Sequence, residues 1–450
     1  MMIFMSFFNI KFWHYFAYLF YVVVLFFLVW ASLYGIKASG SQRWINLYFI
    51  NLQPSELMKI SIKDYLLYSS VFAIFTEAFF FNFIIDWKLL YLIIFVNYIL
   101  LFKIKQVVLN KYFALLLLFF FLHGLITYTI IWIPYNYMAS QILGIGIVGV
   151  YYYNFISLYK PAEIIKVYVK MCLYVAIIGY VFYFLGFNYA DGRLNSIFKE
   201  PAHYVIVVIP AFYYYFKEKK YLNFLLIFGT VILSGSSLGY VGCGLLLIIP
   251  NLTLKRVRYL FGMLPVVVVL FYFAYNELPF FKLRVDDTYR SLNVINTGKF
   301  DKDTNLSSYV LISNMFIAKE NIKDHPLGSG IGSHHYMHTQ RYLKEMRPPE
   351  YLRKQGRHVD NSFDANSLFT RVVSEFGLIG FILIVYILLI GVKCYESPTL
   401  YMAQGIYIYF LLKLFRDGHY FPPELFFFIW LFYFSFKEYK AQRLNSDNQS

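Results

Sequence analysis

Residues 113–133 read FALLLLFFFLHGLITYTIIWI, a continuous apolar run without Asp, Glu, Lys or Arg. A helix rises about 1.5 Å per residue, so a run of this length crosses the roughly 30 Å hydrocarbon core of a bilayer. Similar runs recur along most of the chain and predict an all-α polytopic membrane protein with about 12–14 transmembrane helices. The candidate spans are 14–35, 66–86, 88–103, 113–133, 138–158, 165–187, 201–216, 221–236, 238–254, 259–277, 367–392, 399–415 and 424–436.

The composition of the 450-residue chain supports this prediction, since 60% of its residues are hydrophobic and only 14% are charged. A soluble domain is about one quarter charged. The formal net charge of +15 would suggest a nucleic-acid partner in a soluble protein. Here the cations gather in short loops beside apolar spans, so we expect membrane lipids as partners and no nucleic acid. The three cysteines show neither metal nor redox spacing.

Four clusters of basic residues predict the orientation of the chain. They lie at 103–111, 217–220, 255–258 and 437–443. The positive-inside rule places such clusters in the cytoplasm, and alternation of the spans then leaves three segments outside. The external segments would be 188–200, 278–366 and 416–423. The side of the N-terminus stays open, because 36–65 reads equally well as an interfacial or a partly inserted segment.

The predicted spans divide the chain into five parts. These are an N-terminal span with an interfacial segment (1–65), a transmembrane bundle (66–277), a large external loop (278–366), C-terminal transmembrane helices (367–436) and a cytoplasmic tail (437–450). The external loop is rich in charged residues, Pro and Gly, and it contains an amphipathic stretch at Ser307–Ile322. Long loops without structure are rare in compact proteins, and long loops are often functional. We therefore expect a partly helical cap.

Ionisable residues of the external segments form three clusters that could line one cavity. The clusters hold Asp191, Arg193, Glu200 and His203; Arg284, Arg290, His334, His335, His338, Arg341, Arg347, Arg353, Arg357, His358, Asp360 and Asp364; and Arg416, Asp417, His419 and Tyr420. Guanidinium groups bind diphosphates through paired hydrogen bonds, and carboxylates or imidazoles can accept a hydroxyl proton. An isolated loop arginine is more often a solvated or headgroup-binding residue, and only for Arg193 are the two explanations about equally good.

Three further features have plainer explanations. The histidines within His334–His338 lack a carboxylate at metal-site spacing, so no metal is expected. The glycines of Gly328–Gly332 do not follow a strand, which favours a tight turn over a phosphate loop. Glu77 and His123 lie inside apolar runs, where ionisable groups are either functional or hydrogen-bonded to a neighbouring helix.

Several motifs resemble those of Wzy-type O-antigen polymerases. They are Arg193-Leu-Asn-Ser-Ile-Phe-Lys-Glu-Pro-Ala-His203, the glycine turn Pro326-Leu-Gly-Ser-Gly-Ile-Gly332, and Arg416-Asp-Gly-His-Tyr420. The exit from the long loop is similar to one shared with O-antigen ligases. It reads Asp364-Ala-Asn366-Ser-Leu-Phe, followed by Glu375-Phe-Gly-Leu-Ile-Gly380. The resemblance covers about 66–436 and rests on the order of the motifs.

The N-terminal part is similar to a second family, the SEDS peptidoglycan glycosyltransferases. Gly40-Ser-Gln-Arg43-Trp44-Ile-Asn, followed by Gln53-Pro-Ser-Glu56-Leu-Met-Lys59, resembles their early loop and covers about 12–63. The 364–380 exit also resembles the SEDS segment that holds a catalytic aspartate. Asn366 stands in place of that aspartate, and Asp364 lies two residues away. O-antigen ligases have His just before this Asn, so here Asp364 or His358 would have to be the base.

These resemblances imply a GT-C-like fold and an inverting, metal-independent glycosyltransferase without cofactors. It would lie in the bacterial plasma (inner) membrane with its site facing the periplasm. A hydroxyl of one undecaprenyl-diphosphate-linked repeat unit would attack the anomeric carbon of the growing chain, and undecaprenyl diphosphate would leave. The implied catalytic residues are Asp364, His358 and Arg193; Arg193, Arg284, Arg290, Arg416 and His419 would bind the diphosphate, and Glu200, His335 and Asn366 are further candidates. A chain-length regulator and a flippase are expected partners.

We predict polymerisation into O-antigen or a related surface polysaccharide, because the Arg416–Tyr420 turn and the Arg193–His203 loop most resemble those of polymerases. An O-antigen ligase and a SEDS enzyme remain alternatives that differ mainly in the acceptor. A transporter or flippase is the non-enzyme alternative. It would be expected to show internal repeats and broken-helix pairs, and we find no convincing repeat. The large external loop also favours an enzyme.

Overall fold

The structure is a computed structural model that describes most of the chain. It covers residues 36–38, 41–46, 51–52, 61–83, 85–188, 192–251, 279–447 and short stretches between 265 and 277. Within the described residues the first eight helices are α1 (Ile62–Ala73), α2 (Leu89–Ile104), α3 (Lys111–Ile131), α4 (Asn136–Ile156), α5 (Pro161–Leu185), α6 (Pro201–Lys217), α7 (Tyr221–Leu233) and α8 (Ser237–Ile248). The last three are α14 (Leu368–Gly391), α15 (Tyr401–Phe415) and α16 (Leu425–Asp447).

Four of the described helices are long and apolar enough to cross a membrane, namely α3, α4, α5 and α14 with its extension to Glu396. The apolar helices α2, α7 and α8 are shorter. The prediction of an all-α polytopic membrane protein is confirmed. The number of about 12–14 spans stays a prediction, because 14–35 and much of 259–277 lie outside the described residues. Helix α16 continues past 436 into the predicted tail.

The predicted span 66–86 is wrong, since α1 ends at Ala73 and a β-hairpin follows. Strands β4 (Phe80–Phe83) and β5 (Ile85–Lys88) pair antiparallel, and the Leu89 N–H donates to the Phe79 carbonyl at 3.0 Å. Aromatic and β-branched residues favour strands, and a short apolar run alone does not distinguish strand from helix. The hairpin replaces the second half of the span and places Glu77 in the turn before it. Three further short strands, β1 (Ile36–Ala38), β2 (Ser41–Asn46) and β3 (Asn51–Leu52), precede α1.

Helix α6 packs against α5, α7, α8 and α15, and twelve of its seventeen residues are buried. It packs closely on α15, where a Cβ at Gly405 would lie only 2.9 Å from Pro210 Cα. Buried tyrosines tie the helices together through their hydroxyl groups. The Tyr168 hydroxyl donates to the Val207 carbonyl at 2.6 Å, and the Tyr213 hydroxyl donates to Gln404 at 2.9 Å. These bonds satisfy polar groups that have no access to water inside a membrane protein.

The long loop that the sequence predicts to be external is a partly helical cap, as predicted. Its helices are α9 (Pro279–Ser291), α10 (Val294–Thr297), α11 (Leu306–Asp324), α12 (His334–Tyr336) and α13 (Glu350–Lys354). Helix α11 packs on the membrane helix α14, where the Asn321 amide donates to the Ser374 carbonyl at 2.8 Å. The cap is therefore joined to the bundle along a helix and not only at its two ends.

The glycine segment 326–332 forms a tight turn against a break in α14. Gly377 at the break has φ 56° and ψ −136°, which only glycine adopts readily. The Gly330 N–H donates to the Glu375 carbonyl at 2.8 Å, and the Leu378 N–H donates to the Pro326 carbonyl at 2.9 Å. The turn thus supplies the hydrogen bonds that α14 loses at its break.

Replacement of Gly377 by alanine is expected to destabilise the protein by about 3 kcal/mol or more. The added Cβ would overlap the Pro326 carbonyl and would require an unfavourable backbone conformation. Gly186→Ala is a matched control, because its φ is also positive at 72° but no atom lies within 4 Å of the new Cβ. Thermal unfolding in detergent should show a much larger decrease for Gly377→Ala. Equal decreases would contradict the explanation.

Candidate functional site

The three predicted external segments meet in space. Arg416, which follows α15, forms an ion pair with Glu200 at 3.3 Å. The Asp417 N–H donates to the Asn366 carbonyl at 3.1 Å. A side chain at Gly418 would overlap the Asp364 carbonyl, so glycine allows the two turns to lie in contact. Segments that are far apart in sequence therefore form one site.

A cavity of about 350 Å³ lies where these segments meet. Its ionisable lining residues are Glu77, Lys88, Lys199, Glu200, His203, Asp364, Arg416, Asp417, His419 and Glu424. Phe198, Val207, Asn361, Phe363, Pro422 and Pro423 complete the lining. The cavity therefore offers both cations and carboxylates to a ligand.

Asp364 lies in a tight turn just before α14. The next two residues, Ala365 and Asn366, have φ of 53° and 59°, and the Asn366 N–H donates to Asp364 Oδ1 at 3.2 Å. Asp364 Oδ2 lies 3.9 Å from His419 Nε2. Burial and the nearby Asp417 carboxylate raise the pKa of Asp364. A carboxylate with a raised pKa is a better proton acceptor near neutral pH than an ordinary one.

Asp417 and Glu424 share one buried cation, Lys413 of α15. Lys413 Nζ pairs with Asp417 Oδ2 and lies 3.3 Å from Glu424 Oε1. Burial by itself would raise the pKa of Asp417, but the Lys413 ammonium and its hydrogen bond, together with His203 and His419, lower the pKa. The ligand atoms of Asp364, Asp417 and His419 lie within 4.8 Å of one another and could hold a metal ion. The metal-independent mechanism stays a prediction.

A second pair of ionisable groups lies elsewhere in the lining. His203 Nδ1 is 2.5 Å from Glu77 Oε1. Glu77 follows α1, and His203 is in the first turn of α6. This contact identifies the hydrogen-bonding partner that the sequence left open for Glu77.

A buried ion pair in α14 supports the turn that carries Asp417 and His419. Arg371 Nε donates to Glu375 at 3.1 Å and a terminal nitrogen donates to the Gly418 carbonyl at 3.0 Å. The other terminal nitrogen donates to Gln141 at 2.9 Å. The Tyr420 hydroxyl donates to the second Glu375 oxygen at 2.7 Å, and its ring lies 4.1 Å from the guanidinium carbon. All three guanidinium nitrogens thus have partners.

The structure brings some predicted site residues together and separates others. Glu200, Asp364, Arg416 and His419 line the cavity, and Asn366 lies directly behind Asp364. His335 is adjacent, because its ring stacks on the lining residue Phe363 at 3.6 Å. Arg193, Arg290 and His358 are not among the lining residues. Asp191 and the side chain of Arg284 lie outside the described residues.

Two of the separated residues have other contacts. Arg193 donates to the carbonyls of Ser234 and Gly235 at 3.0 and 3.2 Å, in the turn between α7 and α8. The His358 carbonyl accepts a hydrogen bond from the Tyr309 hydroxyl at 2.8 Å. Arg290 is exposed in the last turn of α9. Their predicted catalytic and binding roles therefore lack support from the cavity lining.

The sequence analysis did not predict Lys88, Lys199, Lys413 or Glu424 as site residues. Lys88 was missed because its hairpin was taken for a span. Lys413 carried a usable signal, since an ionisable residue inside an apolar helix is costly unless it is paired. The pairing itself could not be read from the sequence, because Glu424 is 11 residues away across a turn.

Comparison with known families gives two matches. Residues 222–385 match the family described as O-Antigen ligase, and residues 1–169 match the family described as Cell cycle protein, which is the SEDS family. No curated protein matches the chain. The two predicted resemblances are confirmed. The SEDS match extends beyond the predicted 12–63, whereas the O-antigen ligase match covers less than the predicted 66–436. The chain is similar to membrane proteins of the O-antigen ligase or polymerase type and of the SEDS glycosyltransferase type.

Proposed function

We propose that this membrane protein polymerises undecaprenyl-diphosphate-linked oligosaccharide repeat units into O-antigen or a related surface polysaccharide. The observation that carries the proposal is the position of Asp364. Its buried carboxylate, with a raised pKa, lies in a cavity formed by all three predicted external segments. The two family matches support glycosyl transfer or ligation as the type of reaction. The site would face the outside of a bacterial plasma membrane.

The proposed reaction needs one base and several cations. Asp364 accepts the proton of the acceptor hydroxyl while that oxygen bonds to the anomeric carbon, and the bond from this carbon to the diphosphate breaks with inversion. The departing diphosphate carries negative charge, and permanently charged or ammonium groups stabilise it. Arg416, Lys88 and Lys199 line the same cavity and take this role. Arg193 holds the neighbouring turn.

An O-antigen ligase is the second candidate, because the family matched by 222–385 is described as O-Antigen ligase. The donor and the bond that breaks would be the same, and only the acceptor would differ. A lipid A core would replace the second lipid-linked repeat unit.

Deletion of the gene followed by gel analysis of surface polysaccharide distinguishes these functions. Loss of the polymer ladder with one repeat unit retained on the lipid is expected for a polymerase. Accumulation of polymer that is not attached to the lipid A core would identify a ligase. Rounded, lysing cells would point to a SEDS role. An unchanged ladder and normal cell shape would exclude all three.

The pH dependence of the reaction should show the raised pKa of Asp364. A base must be deprotonated, so the rate falls as pH decreases through its pKa. Burial, followed by the Asp417 charge, raises the pKa of Asp364, and the loss of activity should therefore begin at a higher pH than for an ordinary aspartate. The measurement is the rate of chain extension from pH 3 to 7, with lipid-linked repeat units extracted from the deletion strain. A rate that stays constant down to about pH 4, the ordinary aspartate range, would contradict this prediction.

A further inference from the structure

The Glu77–His203 pair has the geometry of an acid–base dyad. Glu77 lies in the turn between α1 and the β-hairpin and His203 lies in the first turn of α6, 126 residues apart in sequence, and the two side chains approach to 2.5 Å. Their side chains are 18% and 19% exposed, and both line the cavity. A contact that only fixed the Glu77 turn to α6 would not need to lie on the cavity surface. The proposed mechanism so far gives this pair no role.

Glu77 determines which ring nitrogen of His203 can contact a ligand in the cavity. The carboxylate occupies the Nδ1 side of His203, so Nε2 is the remaining ring nitrogen. Among the described residues, His203 Nε2 has no hydrogen-bond partner. This atom is not fully buried. A carboxylate at this distance favours the protonated ring, which is a donor at both nitrogens.

The charged groups around His203 come from four other elements. Lys88 ends the β-hairpin, and Lys199 and Glu200 precede α6. The turn before α14 adds Asp364 to the lining. The segment between α15 and α16 adds Arg416, Asp417, His419 and Glu424. Three of these groups, Lys88, Lys199 and Arg416, are cations. Cations stabilise the negative charge of an anionic leaving group.

We propose that His203 is the general acid of the transfer reaction and that Glu77 is its positioning residue. This inference rests on the proposed function. The acceptor oxygen forms a bond to the anomeric carbon, and the bond between that carbon and the diphosphate oxygen breaks. Asp364 takes the hydroxyl proton, and His203 Nε2 gives its proton to the departing diphosphate. Exchange of both groups with water restores the starting state.

The test is a pH–rate profile from pH 5 to 10 for the full-length protein in detergent, with lipid-linked repeat units extracted from the deletion strain. A general acid must be protonated, so the wild-type rate should fall on the alkaline side. His203→Gln should lower the rate near neutral pH by about 100-fold or more and should remove the alkaline decrease. Glu77→Gln should retain part of the activity and move the alkaline decrease to lower pH.

His325→Gln is the matched control, because His325 lies in the cap and is not a lining residue. It should retain the wild-type profile. A wild-type rate that is constant up to pH 10, or a His203→Gln rate within about threefold of wild type, would overturn the inference. If His203→Gln does not fold, the Glu77→Gln and wild-type profiles decide, and an unshifted alkaline limb in Glu77→Gln overturns it. A wild-type protein that extends no chains would instead contradict the proposed function.

Discussion

Asp364→Asn is expected to abolish chain extension, with a decrease in rate of about 100-fold to 10,000-fold. Asparagine has nearly the same shape as aspartate but cannot accept a proton. Its carbonyl oxygen can still accept the hydrogen bond from the Asn366 N–H, so the turn before α14 should be retained. The loss would therefore reflect chemistry and not folding. It is measured as the rate of chain extension and, in cells, as loss of the polysaccharide ladder.

Asp360→Asn is the control for this experiment. Asp360 is four residues earlier and pairs with Arg357 at 3.1 Å, but it is not a lining residue of the cavity. Its replacement should leave the ladder unchanged, and both variants should be present in the membrane at the wild-type level. An Asp364→Asn variant that makes a normal ladder would exclude Asp364 as the base.

Arg371→Met is expected to destabilise the protein by about 3–5 kcal/mol. Its side chain is 3% exposed, and the Glu375 carboxylate beside it is completely buried. Removal of the guanidinium leaves a buried charge without its cation and frees the carbonyl of Gly418. The turn with Asp417 and His419 should then lose its fixed position, so activity should fall together with stability.

A double variant and a surface pair give the controls. Arg371→Met combined with Glu375→Leu removes both charges and should recover part of the stability, because no unpaired buried charge remains. Lys354→Met removes an ion pair with Glu350 whose side chains are 75% and 79% exposed. This change should cost about 1 kcal/mol or less. Thermal unfolding in detergent is the measurement, and an Arg371→Met decrease no larger than that of Lys354→Met would contradict the prediction.

The sequence predicted those parts of the fold that depend on local hydropathy. The observed bounds of α2, α4, α5, α6 and α15 differ from the predicted spans by four residues or fewer. The positive-inside rule also grouped the segments that meet at the cavity. It could do so because orientation alternates from one span to the next, which requires no knowledge of packing.

The parts that were missed depend on contacts between distant residues. The hairpin in the predicted span 66–86 could not be predicted from hydropathy, because a short apolar run can form either a strand or a helix. The Glu77–His203 contact joins a turn to a helix over 126 residues of sequence, and no sequence pattern indicates such a pairing. In the sequence Lys413 is one charged residue in an apolar helix, and only the fold shows that it pairs with the carboxylates of Asp417 and Glu424. Long-range pairing of this kind requires the three-dimensional arrangement.

The cavity has a consequence for any exchange of segments with members of the two matched families. Glu77 and Lys88 lie in the part that matches the Cell cycle protein family, whereas Asp364 lies in the part that matches the O-Antigen ligase family. His203 falls between the two matched parts, and Arg416 lies beyond both. Neither matched part contains all the residues that line the cavity, so neither part can form the site alone. A chimera that exchanges one part must therefore also supply the cavity residues that this part faces.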